Sequence, residues 1–160
     1  MLSIGTIAPD FALPNQTRAT VRLSDFRGKQ HVVVAFHPLA FTPVCAAQMQ
    51  TYEREKRRFD ALETHLLGIS VDAGPAKGAW AESLGGISYD LLSDFHPKGH
   101  VAASYGVMRD DGISERAIFV VDKTGRIAWA KRYEIPEQPD VHELLAQLEE
   151  IYNLQLRSNR

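Results

Sequence analysis

Apolar residues along the chain alternate between short continuous runs and helically spaced positions. The run His31–Phe36 is apolar almost without interruption, which is typical of a β-strand that is covered on both faces. Residues 65–72, with the sequence HLLGISVD, predict a second buried strand. Between these runs, apolar residues at three- and seven-residue steps predict one helix that carries Met49, Tyr52, Phe59 and Leu62.

The second half of the chain predicts a helix, a hairpin and a terminal helix. Residues 75–84 form the first helix candidate, because Pro75 suits a first helical turn. Residues 116–122 and 126–134 are strand-like runs, and the turn between them places Gly125 for a positive φ. The terminal helix is amphipathic, with an apolar stripe of Val141, Leu144, Leu145, Leu148 and Ile151.

This order of elements predicts an α/β fold in which helices flank a mixed central β-sheet. Turn residues and short alternation up to residue 28 predict a small β-hairpin as an N-terminal extension. The 160 residues contain no linker, repeat or low-complexity tract, so residues 1–160 are expected to form one domain. In such sheets, functional sites assemble in the loops after the strands, and Cys45 follows the first central strand.

Composition and charge exclude several classes of function. The net charge of −2 offers no basic excess for binding nucleic acid. The first residues lack the pattern of a secretory signal and no apolar run could span a bilayer, so a cytoplasmic protein without membrane contact is expected. A single cysteine excludes a disulfide within the sequence and fits a reducing compartment. His31, His37 and Cys45 lack paired ligand spacing, so neither a metal nor a cofactor is expected.

Cys45 is the candidate nucleophile. Pro43 suits the opening of a helix, which would place Cys45 in the first turn, where free N–H groups favour a thiolate. The helix terminus is worth roughly 0.3–1 kcal/mol, whereas a guanidinium about 4 Å away contributes up to ~4 kcal/mol at an effective dielectric of about 20. A nearby arginine should therefore stabilise a thiolate more than the helix terminus does.

A thiolate alone does not make a fast catalyst, because the atom that leaves in the attack also needs hydrogen-bond donors. Thr42, three residues before Cys45, is placed to contact it, and Pro38 would shield the sulfur from water. A plainer interpretation stays open on spacing alone. In that interpretation Cys45 is a small buried apolar residue, and Pro38 and Pro43 are ordinary loop residues.

The string PLAFTPVC carries the P-x-x-x-T-x-x-C signature of peroxiredoxins, with Pro38, Thr42 and Cys45 in register. Further blocks follow in the order that the family has them: APDFAL, LSDFRGK, LLSDF, SYGV and RAIFVVDKTGRI. These blocks cover nearly the whole chain. The chain therefore resembles the AhpC/TSA family of peroxiredoxins, and within it the AhpE-type, one-cysteine members.

The resemblance implies a thioredoxin-like fold and a catalytic arginine at Arg116. It implies that the Cys45 thiolate attacks hydrogen peroxide or an organic hydroperoxide, that Thr42 and Arg116 hold the two oxygens, and that Pro38 shields the sulfur. Cys45 would end as a sulfenic acid. Family habit also implies a homodimer.

Three departures from relatives matter. Gln48 replaces a glutamate that helps to fix the arginine, so the arginine is expected to be held less firmly. His37 replaces an aromatic residue; it either packs and hydrogen-bonds locally or titrates and tunes Cys45. Gln50 occupies a position where some relatives carry a resolving cysteine. An external thiol reductant is therefore expected, either a low-molecular-weight thiol or a glutaredoxin-like protein.

Rival functions are distinguishable. A cysteine hydrolase needs a histidine beside the nucleophile, and none lies in a recognised protease context. A disulfide oxidoreductase needs C-x-x-C, which this sequence lacks. A non-catalytic thioredoxin-fold module, a redox sensor or holdase, would tolerate Cys45→Ser. Phe41 and Trp80 either line the peroxide entrance or belong to the core.

Overall fold

A five-stranded mixed β-sheet runs through the middle of the protein, in a computed structural model that describes residues 1–159. Two short strands precede it and pair antiparallel as a separate hairpin. The strands in chain order are β1 (Ala12–Pro14), β2 (Thr20–Arg22), β3 (His31–Phe36), β4 (Thr64–Ser70), β5 (Asp90–Ser93), β6 (Arg116–Val121) and β7 (Ile127–Tyr133).

The strand order in the large sheet is β5-β4-β3-β6-β7. Strands β3, β4 and β5 are parallel neighbours, while β6 is antiparallel to both β3 and β7. Strand β3 therefore has a neighbour on each side and a covered layer on each face. Its six residues are all buried, which accounts for the continuous apolar run His31–Phe36.

Helices cover both faces of the sheet. They are α1 (Pro43–Arg54), α2 (Lys56–Ala61), α3 (Gly74–Ser83), α4 (His100–Ser104) and α5 (Val141–Ser158). One face of the sheet packs against α1, α2, α3 and α5 through side chains such as Val33 and Ala35, and the other packs against α4 and the N-terminal segment through Val32 and Val34. Among residues 1–159, no helix has the length and apolar character needed to cross a membrane.

The predicted mixed sheet with flanking helices and an N-terminal hairpin is confirmed. The single helix predicted to run from Met49 to Leu62 is wrong. Glu55, at φ −94° and ψ 8°, interrupts it between α1 and α2, and Leu62 lies beyond the end of α2. The seven-residue spacing instead reflects a contact across the break, where the rings of Tyr52 and Phe59 meet edge to face at 5.8 Å.

Candidate active site

The loop between β3 and α1 brings Cys45 into the first turn of α1. The helix begins at Pro43, whose missing N–H leaves no helical hydrogen bond unmade at that position. Phe41 precedes it with φ +63°, a left-handed conformation that is rare for an aromatic residue. This turn lets Thr42 adopt the extended backbone of a helix N-cap. Cys45 is fully buried beneath the loop, with 0% of its surface exposed.

Arg116 reaches the sulfur from the neighbouring strand. It is the first residue of β6, next to Ala117, which pairs with Phe36 at the end of β3. The β3–α1 loop and the start of β6 therefore lie at the same edge of the sheet. Nη1 and Nη2 of Arg116 each donate to Cys45 Sγ at 3.4 Å. Two donors from one cation stabilise the thiolate form of this buried sulfur.

Two further acceptors fix the guanidinium, which is only 2% exposed. Arg116 Nη1 donates to Gln48 Oε1 at 2.9 Å, and Nε donates to the carbonyl of Ile135 at 3.0 Å. Gln48 in turn donates from Nε2 to the hydroxyl of Tyr52 at 3.0 Å. Gln48 therefore holds the arginine as a neutral acceptor.

Tyr52 ends this chain of hydrogen bonds as a neutral phenol. Burial raises its pKa above the usual range, against smaller opposite effects from Gln48 and Arg116. The arrangement thus contains one fixed positive charge, on Arg116, facing one ionisable sulfur. The guanidinium is held by Gln48 of α1 and by the Ile135 carbonyl, and the sulfur is held by Arg116 of β6.

Thr42 and Pro38 shape the loop around the sulfur. The Thr42 hydroxyl donates to the carbonyl of Leu39 at 2.7 Å, which closes the loop on itself. Pro38 is buried where the loop leaves β3. The sequence grouped both residues with Cys45. Their roles toward a peroxide stay predictions from the family resemblance.

His37 is a buried, hydrogen-bonded residue, and its partner is distant in sequence. Its Nε2 lies 2.7 Å from Nζ of Lys77. Burial, with the positive charges of Lys77 and Arg116, lowers the pKa of His37 well below its usual value. A neutral imidazole brings no charge to Cys45. The structure therefore favours the packing and hydrogen-bonding interpretation, with Lys77 of α3 in place of a local partner.

Sequence reasoning did not identify Lys77, Ser70 or Asp72 beside the loop. Lys77 is 0% exposed and donates to Ser70 Oγ at 2.9 Å. Ser70 donates to Asp72 Oδ2 at 2.6 Å, and the same carboxylate oxygen accepts from the N–H of Ala40 at 2.8 Å. One signal was available: Lys77 lies three residues before Trp80, on the helix face that Trp80 buries.

The two aromatic residues that could line the peroxide entrance have different environments. Trp80 is a core residue with 1% of its surface exposed, and it stacks near His37 with 5.1 Å between ring centroids. Phe41 is 59% exposed at the loop surface. Trp80 therefore belongs to the core, whereas Phe41 lies where a molecule approaching the loop would meet it.

Comparisons with known proteins agree on one family. The AhpC/TSA family pattern matches residues 4–130 of the chain. Alkyl hydroperoxide reductase E of Mycobacterium tuberculosis is 38% identical over 141 residues, covering 88% of this chain and 92% of that protein. The chloroplastic 2-cysteine peroxiredoxin of Chattonella marina var. antiqua is 35% identical over 159 residues, covering 94% of this chain and 80% of that protein.

Solved structures lead to the same family. The reduced 2-Cys peroxiredoxin of Plasmodium vivax superposes with a TM-score of 0.88 at 28% identity, covering 97% of this chain and 84% of that one. This likeness confirms the thioredoxin-like fold.

Proposed function

Because the chain belongs to the AhpC/TSA family of peroxiredoxins, we propose that it is a thiol peroxidase with Cys45 as its nucleophile. The observation that carries this proposal is the pair of hydrogen bonds from Arg116 to Cys45 Sγ, each 3.4 Å long. A structural cysteine in an apolar core has no need of a buried guanidinium beside it. Such a cation requires compensation that this fold supplies with Gln48 and the Ile135 carbonyl.

The proposed reaction transfers two electrons from sulfur to the peroxide. The Cys45 thiolate attacks the terminal oxygen, so that an S–O bond forms while the O–O bond breaks. The electron pair of the O–O bond goes to the second oxygen, which takes up a proton and leaves as water or an alcohol. Cys45 becomes a sulfenic acid.

Arg116 would stabilise the negative charge as it moves, and Thr42 would orient the peroxide. The N–H groups of Arg116 already face the sulfur and would follow the negative charge onto the oxygens. The Thr42 hydroxyl donates to Leu39, and its lone pairs can accept a hydrogen bond from the O–H of the hydroperoxide. Pro38 would keep water away from the thiolate. These roles make both hydrogen peroxide and small organic hydroperoxides suitable substrates.

Regeneration would use an external thiol, because the sequence contains one cysteine. A thiolate attacks the sulfenic sulfur and releases water, which leaves a mixed disulfide at Cys45. A second thiol then attacks this disulfide and restores the Cys45 thiolate. A low-molecular-weight thiol or a glutaredoxin-like protein fits this need, which also places the protein in a reducing compartment such as the cytoplasm. Because the family resemblance suggests a homodimer, we also propose that two chains associate. Analytical ultracentrifugation would then give twice the mass of one chain.

Stopped-flow oxidation of the reduced protein tests the function. Hydrogen peroxide and an organic hydroperoxide are mixed with the protein, and tryptophan fluorescence and thiol loss are followed. We expect oxidation to be at least about 10²-fold faster than that of free cysteine, because placed donors contribute on this scale. Cys45→Ser abolishes peroxide consumption. A reduced protein that reacts no faster than free cysteine would contradict the proposal, and activity that survives Cys45→Ser would assign it elsewhere.

A further inference from the structure

A lysine and a histidine lie in contact inside the core, and the peroxide chemistry uses neither. Lys77 and His37 are each 0% exposed, and Nζ lies 2.7 Å from Nε2. Lysine is almost never fully buried unless it is paired, because removing a charge from water is unfavourable. Here its polar partners are an imidazole and a serine hydroxyl rather than a directly contacting carboxylate.

The contacts of Lys77 reach the active-site loop at two points. The first point is His37, which Lys77 contacts directly and which is the first residue of the loop after β3. Through Ser70 and Asp72 they reach the N–H of Ala40. These two points flank Leu39, whose carbonyl accepts the hydrogen bond of Thr42. One buried amine on α3 thus holds both sides of the segment that presents Thr42 and leads to Cys45.

We propose that Lys77 is a positioning residue for the loop of residues 37–42, and that gain or loss of one proton by the Lys77–His37 pair changes how the loop is held. The effect on peroxide reduction rests on the proposed function. The proton equilibrium itself does not, because it is a property of the folded core.

The two protonation states differ in the direction of one hydrogen bond. A charged Lys77 donates to both Ser70 and His37 Nε2, so the ring proton of His37 must sit on Nδ1. That nitrogen is buried and makes no hydrogen bond of good geometry within residues 1–159, although the nearby backbone of Leu39 gives a proton on His37 some support. A buried N–H without a well-formed hydrogen bond is unfavourable. In the neutral state, His37 Nε2–H donates to the amine and Nδ1 is a bare lone pair.

The surrounding charges bring the two states close in free energy. Burial lowers the pKa of Lys77 to about 7, and Asp72 and then Cys45 act against this shift by favouring the ammonium. The charged or titratable groups that face the pair are Asp72 from the end of β4, Cys45 from α1, and Arg116 from β6, whose positive charge disfavours a proton on His37. We therefore expect both states to be populated near neutral pH.

Trp80 provides a reporter of the pair that does not depend on activity. Lys77 Nζ lies 5.4 Å from the Trp80 ring centroid, and the His37 ring lies 5.1 Å from it. The sequence contains two tryptophans, so Trp129→Phe leaves Trp80 as the only one. Adding Cys45→Ser removes the thiol that lies beside the pair. In this background, fluorescence should follow a one-proton transition with a midpoint near or below neutral pH.

Lys77→Met tests the assignment, because methionine keeps the length of the side chain and removes the amine. The change in Trp80 fluorescence near neutral pH should disappear in Lys77→Met. It should persist in the matched control Lys56→Met, which removes a partly exposed lysine paired with Asp60 on α2. A transition with the same midpoint and amplitude in Lys77→Met would overturn the proposal.

Peroxide oxidation measured with Cys45 intact tests the positioning role. Lys77→Met should oxidise about tenfold more slowly, because a displaced loop misplaces Thr42, and its pH profile should lose the step that follows the Trp80 transition. A wild-type rate with an unchanged pH profile would overturn the positioning role. If the wild-type protein is itself no faster than free cysteine, the proposed function fails, while the Trp80 titration still decides on the Lys77–His37 pair.

Ser70→Ala keeps the test decisive if Lys77→Met does not fold. This change removes one acceptor of the charged amine, so the charged form loses support and the Trp80 midpoint should move to lower pH. An unchanged midpoint would contradict the proposed network.

Discussion

Arg116 shows how a buried cation is shared between structure and chemistry. Its Nε and one lobe of the guanidinium bind groups that do not react, the Ile135 carbonyl and Gln48. The remaining donor capacity faces Cys45 Sγ. The fixed contacts hold the guanidinium in place before a substrate arrives, so the hydrogen bonds to sulfur and peroxide require little reorganisation.

Arg116→Met should therefore slow peroxide oxidation of Cys45 by about 10²–10³-fold, because two donors to the reacting atoms are lost. Rapid-mixing measurements under excess peroxide give this ratio. Arg132→Met is a matched control, since Arg132 is an exposed arginine on the neighbouring strand β7. Equal rates in the two variants would remove Arg116 from the proposed mechanism.

The residues of this site differ in how far the sequence could predict them. Pro38, Thr42 and Cys45 share one short loop, so their spacing was enough to group them. Arg116 lies 71 positions beyond Cys45, and only the family resemblance connected the two. Lys77 was missed because a lysine is normally exposed, and its three-residue spacing from Trp80 alone does not say which face of α3 is buried. Its burial depends on how α3 is rotated against the ends of β3 and β4, which periodicity does not give.

Among the elements, α5 depends on its first turn. Asp140 caps the helix by accepting from the N–H of His142 at 2.9 Å, and the helix buries Leu144 and Leu148 completely. Asp140→Ala should lower the free energy of unfolding by about 1 kcal/mol, the usual effect of removing an N-cap. Urea denaturation measures this loss. Asp140→Asn keeps the acceptor and should stay close to wild type; an equal loss in both variants would argue against the cap.

The junction of α3 with the sheet should make stability depend on pH. In the folded protein the pKa of Lys77 is about 7, against 10.5 for an ordinary lysine. Between these values the unfolded chain binds the extra proton, so the free energy of unfolding rises with pH, by up to roughly 1 kcal/mol per pH unit. Lys77→Met should lack this rise.

Denaturation curves for wild type and Lys77→Met across pH 7 to 10.5 test this dependence. The difference in unfolding free energy between the two proteins should change steadily over the window and level off at its upper end. Parallel curves would show that Lys77 stays charged in the core.

In the main sheet and its helices, the long, regular elements were predictable, whereas the shortest strand and helix were not. The apolar runs of β3 and β4 and the apolar stripe of α5 are long enough for their periodicity to be recognised in the sequence. Strand β5 has four residues and α4 has five, too few for a period to show. The break at Glu55 was also invisible, because apolar spacing continues across it through the contact between Tyr52 and Phe59.

At the scale of the whole molecule, the complete burial of Cys45 should select reagents by size. A hydroperoxide, with its narrow O–O–H end, should enter with small side-chain movements, whereas a bulky maleimide needs the loop or the first turn of α1 to open. Alkylation should be roughly a hundredfold slower in the folded protein than in urea, if opening costs about 3 kcal/mol. Mass spectrometry of quenched samples measures both rates. Equal alkylation rates would show that the sulfur is already accessible.

Phe41 has a consequence for the return half of the cycle. Its left-handed backbone, at φ +63°, is held against its own preference by the surrounding fold, so releasing the loop relieves local strain. We therefore expect that opening of this loop, and not the attack by the thiol, limits the recovery of oxidised Cys45 at high reductant. Raising the concentration of reductant should then speed recovery only up to a ceiling set by the rate of opening, and that ceiling should be the same for every thiol.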